Sequence, residues 1–464
     1  MTNKFTNMLR RQLTVNWDKN SKPVDMKQHS LGIGGVHSMP APKAIVKQTA
    51  MLKPRLVRIF LQEFFYVYES PGVYNWAKMD AYMDAVHAMG ADIMASICLK
   101  PQALFPEINE KICLPNDTAQ WQNLIRALVT RYSIDKPYVT HWAIANEVNI
   151  GEWGGCPYLI ESPDDYFEYY KLTVAPIREV LPDIKIGGPS YAGGGEDCAK
   201  YLARFVELCK KENVQVDFVT YNVYTDNPAG NAADGRAIRD ALDEINPGVE
   251  LFITEFNTFV FDDLSLEESA YDPRRSACQA ACILALYDEN CVTGTFQYHI
   301  YDQWCDPREF APWYSRTRYM AEHWNDSAHR LGLMDLDGKP RPQYYLYRML
   351  YALEGTQVEM LGTDELLRGI SCKGDDGWLS MFITNYDVHG GCDFVSQIRF
   401  ENAPEGVYRL TVYRLDAETS ARIKSSSEFD PVESRVVYVH PDFHFDIFTP
   451  ADSVTLIQLE SDGC

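Results

Sequence analysis

The chain has 464 residues, enough to bury a large core, which points to one big domain with a smaller one rather than three small ones. Its net charge of −22 argues against a nucleic-acid groove or an anionic membrane surface as partner, so the acidity is read as a solubility device. The opening MTNKFTNMLRRQLTVNWDKN has no apolar export segment, and nowhere do about eighteen apolar residues run uninterrupted, so a soluble protein that is not exported is expected. Twelve cysteines without a Cys-x-x-Cys pair, in a chain whose size needs no disulfides, predict reduced thiols and hence the cytoplasm.

From about residue 30 to residue 350, short apolar runs alternate with helix-length amphipathic stretches, the pattern of a parallel sheet with crossover helices. The first strand is expected over 31–36, ending in His37-Ser38, followed by a helix near 44–52 and a strand over 56–60. Helix 76–89 closes on Gly90, a C-cap signal, and strand 92–99 follows. Helix 118–132 leads to a fourth strand at 139–145, and helix 165–180, carrying Pro176, leads to a fifth at 185–188. Helix 198–212 precedes strand 217–223, helix 233–245 precedes strand 251–254, and helix 276–289 precedes strand 294–300. Eight alternations fit an α/β fold of the (β/α)₈ TIM-barrel class over residues 26–354. A doubly wound open sheet is the alternative. It is disfavoured because Gly32, Gly34 and Gly35 fall within the first strand rather than forming a phosphate loop after it.

After Gly355 the runs become short and alternating, at 366–372, 378–385, 396–400, 408–415, 435–440, 443–448 and 453–459. Seven or eight strands without helices predict a β-sandwich over 355–464, and residues 1–25, with the alternating stretch 12–17, are expected to join it.

Chemistry concentrates at two of the strand ends. Asn146-Glu147 emerges where the fourth apolar run stops, and Glu255 emerges after Leu251-Phe252-Ile253-Thr254. The dipeptide alone is weak evidence, since a second pair, Asn109-Glu110, sits in the polar stretch EINEK. Two glutamates at two strand ends, however, supply what glycoside hydrolysis needs: a proton for the leaving oxygen and electron density for an oxocarbenium-like centre.

These motifs resemble those of the clan A retaining glycoside hydrolases, most closely family 39, the β-xylosidase and α-L-iduronidase family. Asn146-Glu147-Val148-Asn149 is similar to the family's Asn-Glu-Pro-Asn acid/base motif, and Thr254-Glu255-Phe256-Asn257 to its nucleophile motif. Lys185-Ile186-Gly187-Gly188-Pro189 looks like the family's fifth strand, and Gly338-Lys339-Pro340 like its entry to the last helix. The departures are Val148 where the family has proline, Asn222 where it has histidine, and His299 and Asp302 where a Trp and a Ser-Asp-Phe-Glu-Glu run would stand.

The resemblance implies that Glu255 is the ionised nucleophile and Glu147 the protonated acid that later acts as base. Asn146 would bond the sugar 2-OH, Arg58 would orient Glu255, and Tyr224 would donate to it. His37, Asn222, His299 and Asp302 become candidates for sugar contacts. Trp153, Trp304 and Trp313 are candidates for stacking, the last two because they lie in the long segment 302–330 after strand eight. The expected substrate is a small oligosaccharide or glycoside, foremost a β-xyloside cleaved from one end. Glucoside, galactoside, arabinoside and uronide activities are compatible alternatives, and a non-catalytic carbohydrate-binding protein is the rival class. No cofactor or metal is expected. His323, His329, His440 and His444 lack zinc-helix spacing, Asp335-Leu336-Asp337-Gly338 is too short for a calcium loop, and Cys278 with Cys282 fits core packing. Homo-oligomerisation stays open.

Overall fold

The computed structural model describes residues 9–258, 265–326, 331–374 and 377–461. Eight parallel strands close into a barrel: His29–Gly32, Leu56–Gln62, Asp92–Cys98, Val139–Ile144, Lys185–Ala192, Phe218–Tyr224, Glu250–Asn257 and Gly294–Tyr298. The eighth pairs with the first, Thr295 opposite His29, and that closure excludes the open sheet. Leu56–Gln62 and Gly294–Tyr298 are buried at every position, as strands covered on both faces must be. Leu56, Met94, Ala143, Phe218, Phe252 and Phe296, one from each of six strands, fill the interior as a packed plug.

The surrounding helices begin where the sequence offers caps. Asp117 accepts the Gln120 amide at 3.0 Å to start Thr118–Thr130, which buries Trp121, Leu124, Ile125 and Leu128 at helical spacing. Ser162 caps Pro163–Val180, a helix that passes through Pro176 without ending. The first strand stops at Gly32 rather than at residue 36. The glycines explain why: Gly34 and Gly35 leave the ladder and pack so closely that a Cβ would sit 2.6 Å from the Trp324 ring and 2.7 Å from the Phe60 side chain.

Nine strands make the second sheet, and Leu9–Pro23 lies inside it. That strand runs parallel to Phe394–Glu401, from Leu9 opposite Phe394 to Asn16 opposite Glu401, and antiparallel to Thr356–Leu361. Strands from both halves of the hydrogen-bonded order share one apolar cluster, including Leu13, Val15, Met381, Ile398, Leu410 and Leu459, so the sheet folds over itself as a sandwich. Its other face joins the barrel: on Leu379–Asn385, Met381 and Ile383 point into the sandwich while Phe382 packs in the barrel's core cluster. The expectation of no helices here is corrected by Ala417–Ser426, whose Asp416 and Thr419 form a capping box. Strand Thr356–Leu361 escaped prediction because only Val358 in it is buried, which leaves no alternating signal.

Candidate active site

The fourth and seventh strands deliver Glu147 and Glu255 to the barrel's carboxyl end by different local devices. Past Ile144 the chain enters the left-handed region at Ala145 (φ 67°) and again at Glu147 (φ 44°), a costly conformation for residues with a Cβ. It is held there because the Glu147 amide donates to Ser190 O at 2.9 Å and its carbonyl accepts Ile150 and Gly151, each at 3.0 Å. Asn149 exchanges hydrogen bonds with the Ala192 backbone at 3.1 and 2.8 Å, tying the loop to the fifth strand. On the seventh strand the pairing register slips between Ile253 and Glu255, a bulge that re-aims the glutamate.

Arg58, wholly buried on the second strand, organises both. Its five N–H groups meet five acceptors: Ser96 Oγ at 3.2 Å, Thr254 O at 3.0 Å, Glu255 Oε1 at 3.2 Å, Asn146 Oδ1 at 2.7 Å and Ser190 Oγ at 3.2 Å. Tyr224 donates to the other oxygen of Glu255 at 2.8 Å. Asn222 donates to Glu147 Oε1 at 3.0 Å and to Asn146 Oδ1 at 3.3 Å, while its own oxygen accepts Thr254 Oγ1 at 2.8 Å. Asn146 donates to Gly154 O at 3.2 Å.

These environments differ in charge. Burial and then the anion on Glu255 raise Glu147 well above the usual carboxylate range, against the opposing pull of Asn222. Burial also raises Glu255, but Arg58 and the Tyr224 hydroxyl draw it back down, so of the two Glu147 is pushed further toward its protonated form. An acid beside an ionised, oriented carboxylate is what acetal cleavage requires.

The other candidates separate. His37 is buried, with Nε2 3.2 Å from Gln303 Nε2 and with no hydrogen-bond partner for Nδ1 among the described residues. Trp153 and Trp304 are exposed, at 50% and 58%. Asn222 is turned onto Glu147. Three expectations are corrected. Asp302 is closed in a buried bidentate pair with Arg341, at 3.0 and 2.5 Å, and also accepts the Gly332 amide. His299 is a neutral core residue, brought down to about pKa 4 by burial, with Nδ1 2.7 Å from Tyr301 O. Trp313 is buried between Phe310 and Tyr314 and donates to Glu309 O at 2.9 Å. His329 lies outside the described residues, as do residues 327–330 of the segment after strand eight.

Sequence reasoning missed several supports. Ser190 bonds Arg58 and, at 3.1 Å, Thr254; a serine following Gly-Gly-Pro on the fifth strand was its only signal. Gly154 lies against the Glu147 carboxylate so tightly that any Cβ there would collide with it. Glu152, buried, accepts the Ser315 and Arg316 amides at 3.1 and 3.0 Å, while its own amide donates to Glu110 at 2.8 Å. The discounted Asn109-Glu110 pair thus carries a clamp rather than chemistry.

A sequence model described as Glycosyl hydrolases family 39 matches residues 55–365, which includes both glutamates and Arg58. The chain belongs to family 39. Among relatives, a β-xylosidase of Geobacillus stearothermophilus is 26% identical over 33% of this chain and 31% of its own length. A β-xylosidase of Caldicellulosiruptor saccharolyticus is 21% identical over 62% of this chain and 58% of its own. The chain therefore spans about a third of the first of these relatives and just over half of the second. Solved structures agree in fold: a monomeric β-xylosidase from Caulobacter crescentus, 19% identical, superposes over 98% of this chain and all of its own with a TM-score of 0.73. A family 39 enzyme from Xanthomonas axonopodis pv. citri, 18% identical, gives 0.73 over 99% of both chains.

Proposed function

We propose that this protein is a retaining, exo-acting glycosidase that removes a terminal β-linked xylose from oligosaccharides or glycosides. One observation carries the reading: two buried carboxyl groups stand at the ends of strands four and seven in unlike settings, Glu255 held by Arg58 and Tyr224 while burial and the charge on Glu255 push Glu147 further toward its protonated form. Membership of family 39 supports the reaction class, and the β-xylosidases among the relatives support the sugar.

In this mechanism Glu147 gives its proton to the departing oxygen as Glu255 attacks the anomeric carbon and forms a glycosyl ester. Esterification removes the charge on Glu255 and with it part of the cause of Glu147's raised pKa. Glu147, now ionised, takes a proton from water, which displaces Glu255 from the opposite face. Two inversions give net retention. Exo action is supported by the clamp from Glu152 to Ser315 and Arg316, which ties the segment after strand eight to the loop after strand four. Among the described residues no helix is long and apolar enough to cross a membrane, and all of their cysteines are free thiols, which fits a reducing compartment.

A panel of nitrophenyl glycosides tests the sugar, with the β-xyloside expected to turn over fastest and a uronide or furanoside leading instead overturning it. Hydrolysis of none, alongside measurable sugar binding, would favour a binding protein. Proton NMR in the first minutes, before mutarotation, should show the β-anomer released first from a β-glycoside. An initial α-anomer would replace double displacement with inversion.

A further inference from the structure

Trp153 is the one candidate aromatic that is both exposed and joined to the acid loop. It lies in the short helix Gly151–Gly154, whose first residue donates to the Glu147 carbonyl at 3.0 Å and whose last lies against the Glu147 carboxylate. The indole is held from outside that loop as well. The Arg316 guanidinium lies over it at 4.3 Å, the Tyr319 ring meets it edge-on at 4.7 Å, and the Tyr319 hydroxyl donates to the Trp153 carbonyl at 3.3 Å. Arg316 is itself fixed, by its amide to Glu152 at 3.0 Å and its guanidinium to Glu110 at 3.3 Å. Half of the residue's surface stays open despite these restraints. A large aromatic locked in place yet left uncovered is built to meet a ligand at little entropic cost. Tyr319 lies close enough for the charge of Glu147 to act on its phenol, which burial already keeps protonated.

Gly154, next in the chain to Trp153, lies against the carboxylate that would protonate the leaving group, and Tyr319, whose ring packs on the indole, lies within reach of that carboxylate's charge, so the indole sits on the acid's side of the site. We propose that Trp153 is the aglycone platform, selecting leaving groups with a flat C–H or π face, such as a second pyranose ring or an aromatic alcohol, over small alkyl groups. This rests on the glycosidase reading above and adds which half of the substrate the residue reads.

The test compares Trp153→Ala and Trp153→Phe with wild type on three glycosides of whichever sugar wild type cleaves: a disaccharide, a phenyl glycoside and the methyl glycoside. In Trp153→Ala the ratio of kcat/KM for the disaccharide or phenyl glycoside to that for the methyl glycoside should fall about tenfold, the loss of about 1.4 kcal/mol of stacking. Trp153→Phe should recover part of it. A fall confined to the disaccharide assigns the platform to a sugar ring, and one confined to the phenyl glycoside assigns it to an aromatic aglycone. An unchanged ratio overturns the proposal and leaves the glycosidase standing. A wild type that cleaves none of the three overturns both.

Discussion

Arg58 with Glu255 and Arg341 with Asp302 are both buried arginine–carboxylate pairs at the carboxyl end of one barrel, and they are built in opposite ways. Arg341 grips both oxygens of Asp302 and the Gly332 amide takes one of them again, which leaves that carboxylate closed. Arg58 spreads its donors over five acceptors and meets Glu255 at a single oxygen, 3.2 Å away. A bidentate pair spends its geometry on holding two elements together, whereas a shared, one-oxygen contact orients a carboxylate and leaves it able to react. Two arginine–carboxylate pairs, equally buried, therefore separate into a fastener and, in the mechanism proposed above, a reagent.

The largest expected effect tests the reagent directly. Glu255→Ala should lower kcat by about 10⁴-fold or more on every glycoside with the fold intact, because it removes the group proposed to form the ester. A variant retaining a tenth of wild-type turnover would mean that the nucleophile is another residue. Next comes Glu147→Ala, expected to cost about 10²–10⁴-fold on alkyl glycosides and far less on nitrophenyl ones, since only poor leaving groups need the proton. Equal losses on both would remove Glu147 from the role of acid.

The two arginine pairs themselves should fail differently. Asp302→Ala leaves Arg341 buried without its partner and should lower unfolding stability by about 3–5 kcal/mol, read from urea denaturation, with turnover per folded molecule largely kept. Arg58→Lys preserves the charge but not the fork, and should lower kcat by about 10²-fold through misplacement of Glu255. Matching losses of activity in the two variants would erase the distinction.

The smallest effects are shifts of the pH profile. Tyr224→Phe removes a hydrogen bond that lowers the pKa of Glu255, so that pKa rises and the acid limb of kcat/KM moves to higher pH. Asn222→Ala removes one that lowers Glu147, so the alkaline limb also moves up. One substitution narrows the active range and the other extends it. Movement of the alkaline limb in Tyr224→Phe and of the acid limb in Asn222→Ala would exchange the roles of the two glutamates.

The barrel was legible because parallel strands buried on both faces leave apolar runs that alternate with helices. Glu147 and Glu255 were legible because each follows such a run within a motif. Asp302 and Trp313 were misread because the sequence places them in a long loop at the mouth, and only the folded chain supplies Arg341 and the Phe310 and Tyr314 rings that cover them. Ser190, Gly154 and Glu152 were unreadable for a related reason. Each acts on a residue from another strand or loop, and a serine, a glycine and a surface-type glutamate carry no periodic signal. Helix Ala417–Ser426 had its capping box in Asp416 and Thr419, a local signal passed over because the strands around it set the expectation.

The strand Leu9–Pro23 has a consequence for synthesis. It leaves the ribosome well ahead of both of its neighbours, Thr356–Leu361 and Phe394–Glu401, which are more than three hundred residues downstream. At about 5–20 residues per second, the strand waits roughly 20–70 s for the first of them. Throughout that wait its backbone donors and acceptors are open to any other nascent chain with an unpaired edge. The barrel can assemble in the meantime, but the sandwich cannot be completed until those downstream strands are made, so a ribosome stalled just before Thr356 would leave a formed barrel with the strand Leu9–Pro23 still exposed.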